Sequence, residues 1–191
     1  MAAADPPSIP AEHPLLRLRP GTRLWIAGTP HTVRTAVQVD GGTQRWAEYL
    51  LDGPRAGRWL AVEALPQGSV RLSRWVRTEA GPTGFDPERP AARGVPLVET
   101  ERGEAEFTAT GDLSALPGLP PAGRLRFVDY AGDGVHASLE WLGPGAPALL
   151  GTRTDVVPPA GLTIEAPPED SELPELPDPV EPPDLKEETR A

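Results

Sequence analysis

Arg45-Trp46-Ala47-Glu48-Tyr49-Leu50-Leu51 recurs in outline 81 positions later as Arg126-Phe127-Val128-Asp129-Tyr130. Each copy reads basic, aromatic, small apolar, acid, tyrosine. Each runs into a Gly-containing turn and then a second tryptophan, Trp59 or Trp141. Strand side chains alternate between two faces, so Trp46, Glu48 and Leu50 share one face and Phe127 shares a face with Asp129. The repetition predicts two matched β-hairpins built around two aromatic clusters.

Working outward, short apolar runs are punctuated every eight to twelve residues, the rhythm of an all-β domain. Leu24 to Ala27 reads as a strand, Gly28-Thr29-Pro30 as its turn and His31 to Val39 as the return. In that return Val33, Thr35, Val37 and Val39 alternate with polar residues, which predicts one β-branched face. Asp40-Gly41-Gly42 reads as a hairpin turn, because glycine supplies the positive φ such turns require. Arg45 to Leu51 and Arg58 to Glu63 form the next pair, and Ser69 to Val76 a fifth strand. Val95 to Glu101 and Glu104 to Thr110 read as a hairpin across Arg102-Gly103. Leu125 to Tyr130, Val135 to Trp141 and Pro147 to Thr154 complete the set. No amphipathic helix of three turns is evident.

The predicted fold is an antiparallel β-sandwich or a pair of small barrel-like sheets, in two pseudo-repeated halves. Residues 15–77 and 95–164 are those halves within one domain, 15–164, and the Gly/Pro-rich stretch 78–94 is their connector. Residues 1–14 read as a flexible leader. From Glu165 onward ten acids face only Lys186 and Arg190, with seven prolines in 27 residues. Such a segment buries too little apolar surface to offset its ordering entropy, so a disordered acidic tail is expected.

Composition narrows the function classes. The chain carries a net charge of −10, and 26 Pro and 20 Gly among 191 residues. The tail accounts for −8 of that charge, so residues 1–164 are close to neutral and have no field to attract nucleic acid. There is no cysteine, hence no disulfide and no thiolate zinc site. His13, His31 and His136 lack metal-ligand spacing. No serine lies in a Gly-x-Ser-x-Gly elbow. Neither Gly132-Asp133-Gly134 nor Gly143-Pro144-Gly145 opens a helix as a phosphate loop would. The N-terminus lacks a basic region followed by an apolar run, and no stretch is apolar enough for a membrane helix. A cytoplasmic protein with no cofactor and no metal is expected.

The residues that stand out are Trp46, Glu48, Tyr49, Trp59, Asp129, Tyr130, Glu140 and Trp141, as a binding or a structural signature. If their faces meet, Glu48 and Asp129 approach in an aromatic setting, where burial and like charge raise a carboxylate pKa. Such a pair suits an ammonium ligand or acid/base chemistry; alternatively each acid pairs with an arginine such as Arg45, Arg58 or Arg126. The tryptophans serve equally as core filler.

The order Gly21-x-x-Leu24, Gly28, Thr32-Val33, Trp46-x-Glu48-Tyr49-x-Leu51, Trp59-Leu60-x-Val62 resembles a bacterial domain-of-unknown-function family, DUF4178. So does the later run Arg102-Gly103-Glu104-Ala105, Gly111, Val128-Asp129-Tyr130, Leu139-Glu140. The resemblance covers roughly residues 15–164, and the high Arg and Ala content looks like an actinobacterial member. It implies a β-rich domain of unassigned activity, encoded near membrane-associated stress proteins and aminopropyltransferase-like proteins. A protein of the former kind is the partner it implies. The leading expectation is a non-enzymatic interaction or accessory module. A small-ligand module, for an amine or polyamine, is the alternative, and an enzyme using Glu48 and Asp129 is the third.

Overall fold

The computed structural model describes residues 13–52, 58–80, 85–116, 118–144 and 148–165. Most of the expected leader and nearly all of the acidic tail lie outside them. The described chain is all-β. Two four-stranded meanders make up the wall. The first comprises β2 (Thr29–Asp40), β3 (Arg45–Asp52), β4 (Arg58–Ala64) and β5 (Val70–Glu79); the second comprises β8 (Val98–Gly111), β9 (Ala122–Gly132), β10 (Val135–Leu142) and β11 (Leu149–Val157).

The meanders join twice, β5 against β11 and β2 against β8, and every pairing is antiparallel. The result is one closed eight-stranded barrel, where the sequence suggests a sandwich or two separate sheets. Closure removes most of the exposed strand edge that two open sheets would leave. β1 (Arg23–Ile26) and β12 (Leu162–Ile164) extend the sheet outside the barrel beside β2. β6 (Ala91–Ala92) and β7 (Val95–Pro96) form a separate small hairpin across the end of the expected connector, so the strand expected from Val95 divides between β7 and β8.

Two local readings are corrected by the backbone. Arg102-Gly103 is no turn: β8 runs unbroken through it, with Gly103 opposite Phe127 on β9. A Cβ at Gly103 would lie 2.9 Å from the Phe127 ring, so this glycine makes room for an aromatic side chain. The four β-branched residues of β2 do not share one face. A register shift between Val33 and Thr35 sends Val33 outward, while Val37 and Val39 stay inside. The bulge is held from the η2 turn (Leu113–Ala115) side, where Arg34 and Thr35 both bond to Asp112.

Alternation along the strands separates three apolar clusters. Ala47, Tyr49, Leu51, Leu60, Val62 and Leu72 face out of the first meander and pack under β1, β12 and the 3₁₀ turn Pro14–Arg17. Tyr49 is fully buried there; its hydroxyl donates to the Leu15 carbonyl at 2.8 Å and accepts from the Leu18 amide at 3.2 Å. Tyr130, Leu139, Trp141 and Leu150 face out of the second meander under the β6–β7 hairpin and Phe85. Inside, Val37, Leu50, Phe107, Leu125, Leu142 and Leu149 fill one end of the lumen, where Leu113, Leu116 and Leu119 close it. The rest of the interior is lined by charged, polar and aromatic side chains.

Candidate functional site

That polar half of the lumen is a cavity of about 140 Å³. Strand register puts its side chains in rows. Glu48, Ala61 and Ser73 lie side by side across β3, β4 and β5. Asp129, Ser138, Gly151 and Arg77 lie side by side across β9, β10, β11 and β5. Trp46 and Phe127 meet edge to face with centroids 5.5 Å apart. Trp75 lies over Gly151, where a Cβ would come within 3.3 Å of the ring. The cavity runs from buried Glu48, Glu140 and Ser138 to exposed Gln44, Arg71 and Glu101.

At the buried end Arg77 bridges two carboxylates. Its Nη2 contacts both Glu48 and Glu140, and the three side chains are between 6 % and 10 % exposed. The guanidinium stacks on Trp59, 4.7 Å from the ring centroid. Its Nη1 is buried and finds no acceptor among the described residues. Burial by itself lowers the Arg77 pKa, and the carboxylates of Glu140 and Glu48 more than reverse that. Trp46 donates to Glu48 at 3.3 Å, and Ser138 donates to Glu140 at 3.2 Å.

The carboxylates are unequal. Desolvation pushes Glu48 up to about 7 against the pull of Arg77, with Glu140 and Asp129 adding like charge. Asp129 is pushed up to about 6, first by desolvation and then by Glu140, Glu101 and Glu63, while the neighbouring Ser138 hydroxyl partly offsets this. Asp129 forms no ion pair among the described residues. Arg71, nearer the mouth, is taken by Glu63 through bonds of 2.6 and 3.0 Å. The lining therefore holds five acids (Glu48, Glu63, Glu101, Asp129, Glu140) against Arg71 and Arg77, a formal −3. Among the described residues no three His, Asp or Glu groups converge to hold a metal ion.

Of the residues singled out from sequence, Trp46, Glu48, Trp59, Asp129 and Glu140 line this cavity. Tyr49, Tyr130 and Trp141 do not. They belong to the outer clusters, and Trp141 lies under Arg126 outside the barrel. Glu48 does pair with an arginine, but with Arg77; Arg45 is bound to Asp40. Sequence reasoning missed Arg77 and Ser73. The fifth strand was ended at Val76, one residue before the arginine, although Arg71, Ser73, Trp75 and Arg77 already alternate on one face.

The model of a family described as "Domain of unknown function (DUF4178)" matches residues 19–155. The chain belongs to this family. The DUF4178 match takes in every cavity residue named above and stops short of β12, so the site lies wholly within the family domain. Neither a curated protein nor a solved structure matches the chain. No helix among the described residues is long and apolar enough to cross a membrane.

Proposed function

We propose that this domain is a non-enzymatic receptor for a small ligand, and that its barrel lumen takes an organic cation of the amine class. One observation carries the reading. Asp129 sits in an aromatic-walled cavity among four glutamates, and the arginines of that cavity are already bound to other carboxylates. An uncompensated carboxylate in such a place costs folding free energy. An ammonium group seated there removes that cost and gains cation–π attraction from Trp46, Trp75 or Phe127. Small β-barrels with polar groups in the mouth are recurrent ligand sites.

The interaction-module alternative calls for an exposed apolar or aromatic patch. Among the described residues only Val98 and Val156 are large hydrophobics that are exposed, so the geometry favours the lumen over the surface. Proton transfer is within the chemistry of Glu48 and Asp129. Glu48, however, is engaged by Arg77 and Trp46, which favours binding over catalysis.

Three tryptophans line the cavity, so intrinsic fluorescence reports on it directly. Titration at pH 8 with matched cationic, neutral and anionic small molecules should give a saturable response for the cations, and Asp129→Asn should abolish it. Equal responses to all three charge types, or no response to any, overturns the reading.

A further inference from the structure

The cavity holds two features of opposite demand. Asp129 is a carboxylate without a cation among the described residues. Arg77 is a cation with a donor to spare: its side chain is 6 % exposed, it lines the cavity, and its Nη1 has no acceptor among the described residues. Stacking on Trp59 occupies a face of the guanidinium and leaves its in-plane N–H groups still needing an acceptor. A buried donor without a partner is costly, because it has given up water for nothing.

We propose that the ligand carries an uncharged oxygen acceptor as well as an ammonium group, as a short amino alcohol or amino amide does. This rests on the amine reading of the same site. The ammonium goes to Asp129 and the oxygen to Arg77 Nη1. Both residues line the same cavity, in one row across β9, β10, β11 and β5, and Glu140 stands between them in charge, bonded to Arg77 and acting on Asp129. The oxygen is uncharged because Glu48 and Glu140 flank the guanidinium, and a ligand carboxylate there meets two others. A second ammonium at that end leaves the Nη1 donor unmet, because an ammonium group only donates. A cavity of about 140 Å³ is close to the ~150 Å³ cavity that admits benzene, which sets the enclosed part at about six heavy atoms.

The test is calorimetry on the full chain at pH 8 with four probes of matched length. These are 4-aminobutan-1-ol, pentylamine, pentan-1-ol and 1,4-diaminobutane. The amino alcohol should bind at least about tenfold tighter than pentylamine or the diamine, with pentan-1-ol weakest. Pentylamine or the diamine binding as tightly as the amino alcohol overturns the oxygen seat and leaves the amine reading standing. No binding by any of the three amines overturns both. Asp129→Asn, which keeps size and hydrogen bonding, should weaken the amino alcohol to the level of pentan-1-ol. If it does not, the ammonium is not at Asp129 and the proposal fails.

Discussion

The two halves of the barrel lumen are built by the same strands from opposite materials. Leu125 and Asp129 stand four residues apart on β9, and Leu142 and Glu140 two apart on β10, yet one member of each pair lies in an apolar floor and the other in a charged chamber. The floor is what a small barrel needs for stability, since interior positions are normally filled by side chains. The chamber adds little to stability and subtracts from it above neutral pH. A region retained at such a cost is where function is to be sought.

Loss of Arg77 should separate the halves most sharply. Arg77→Met leaves Glu48 and Glu140 buried without a counter-charge, and breaking such a cluster costs about 3–5 kcal/mol. Urea unfolding at pH 8 should show most of that loss, and at pH 5, where Glu48 is protonated, clearly less. A loss independent of pH would mean that Arg77 acts through packing on Trp59 alone. In the floor, Leu125→Ala should cost about 2–5 kcal/mol by leaving a cavity among Leu142, Leu149 and Phe107. That loss should be the same at pH 5 and pH 8. A pH-dependent loss there would show that the two halves are coupled.

The division of the lumen was partly legible in the sequence. Alternation placed Trp46 with Glu48 and Phe127 with Asp129, and both pairs do face one space. Closure of the barrel was not legible, because the β2–β8 and β5–β11 seams join residues 66 to 85 positions apart and no local pattern records them. Gly103 misled for a related reason. Glycine within an acidic run reads as a turn, whereas its role is to leave room for Phe127 arriving from a strand 24 residues later. Tyr49 and Tyr130 share the signature of the site but point the other way. Their hydroxyl and ring contacts fasten the outer layers.

The smallest expected effect is also the most informative, because its sign is opposite to that of the other two. In the folded chain Glu48 and Asp129 hold their protons up to about 7 and about 6, against ordinary values of 4.5 and 3.8. Between those limits the folded state binds more protons than the unfolded one, so stability falls as pH rises through the window from about 4 to 7. Asp129→Asn removes one of the two groups and keeps the hydrogen bond with Ser138 available. It should leave stability at pH 4 nearly unchanged and raise it at pH 8 by about 1–2 kcal/mol, allowing for the partial exposure of the group. The slope of stability against pH between 5 and 7 should flatten accordingly. If the variant is instead less stable at pH 8, Asp129 has a counter-charge in solution, and the uncompensated carboxylate on which the amine reading stands is lost. If it is more stable while no longer responding to amines, the charged chamber is a site that trades stability for binding.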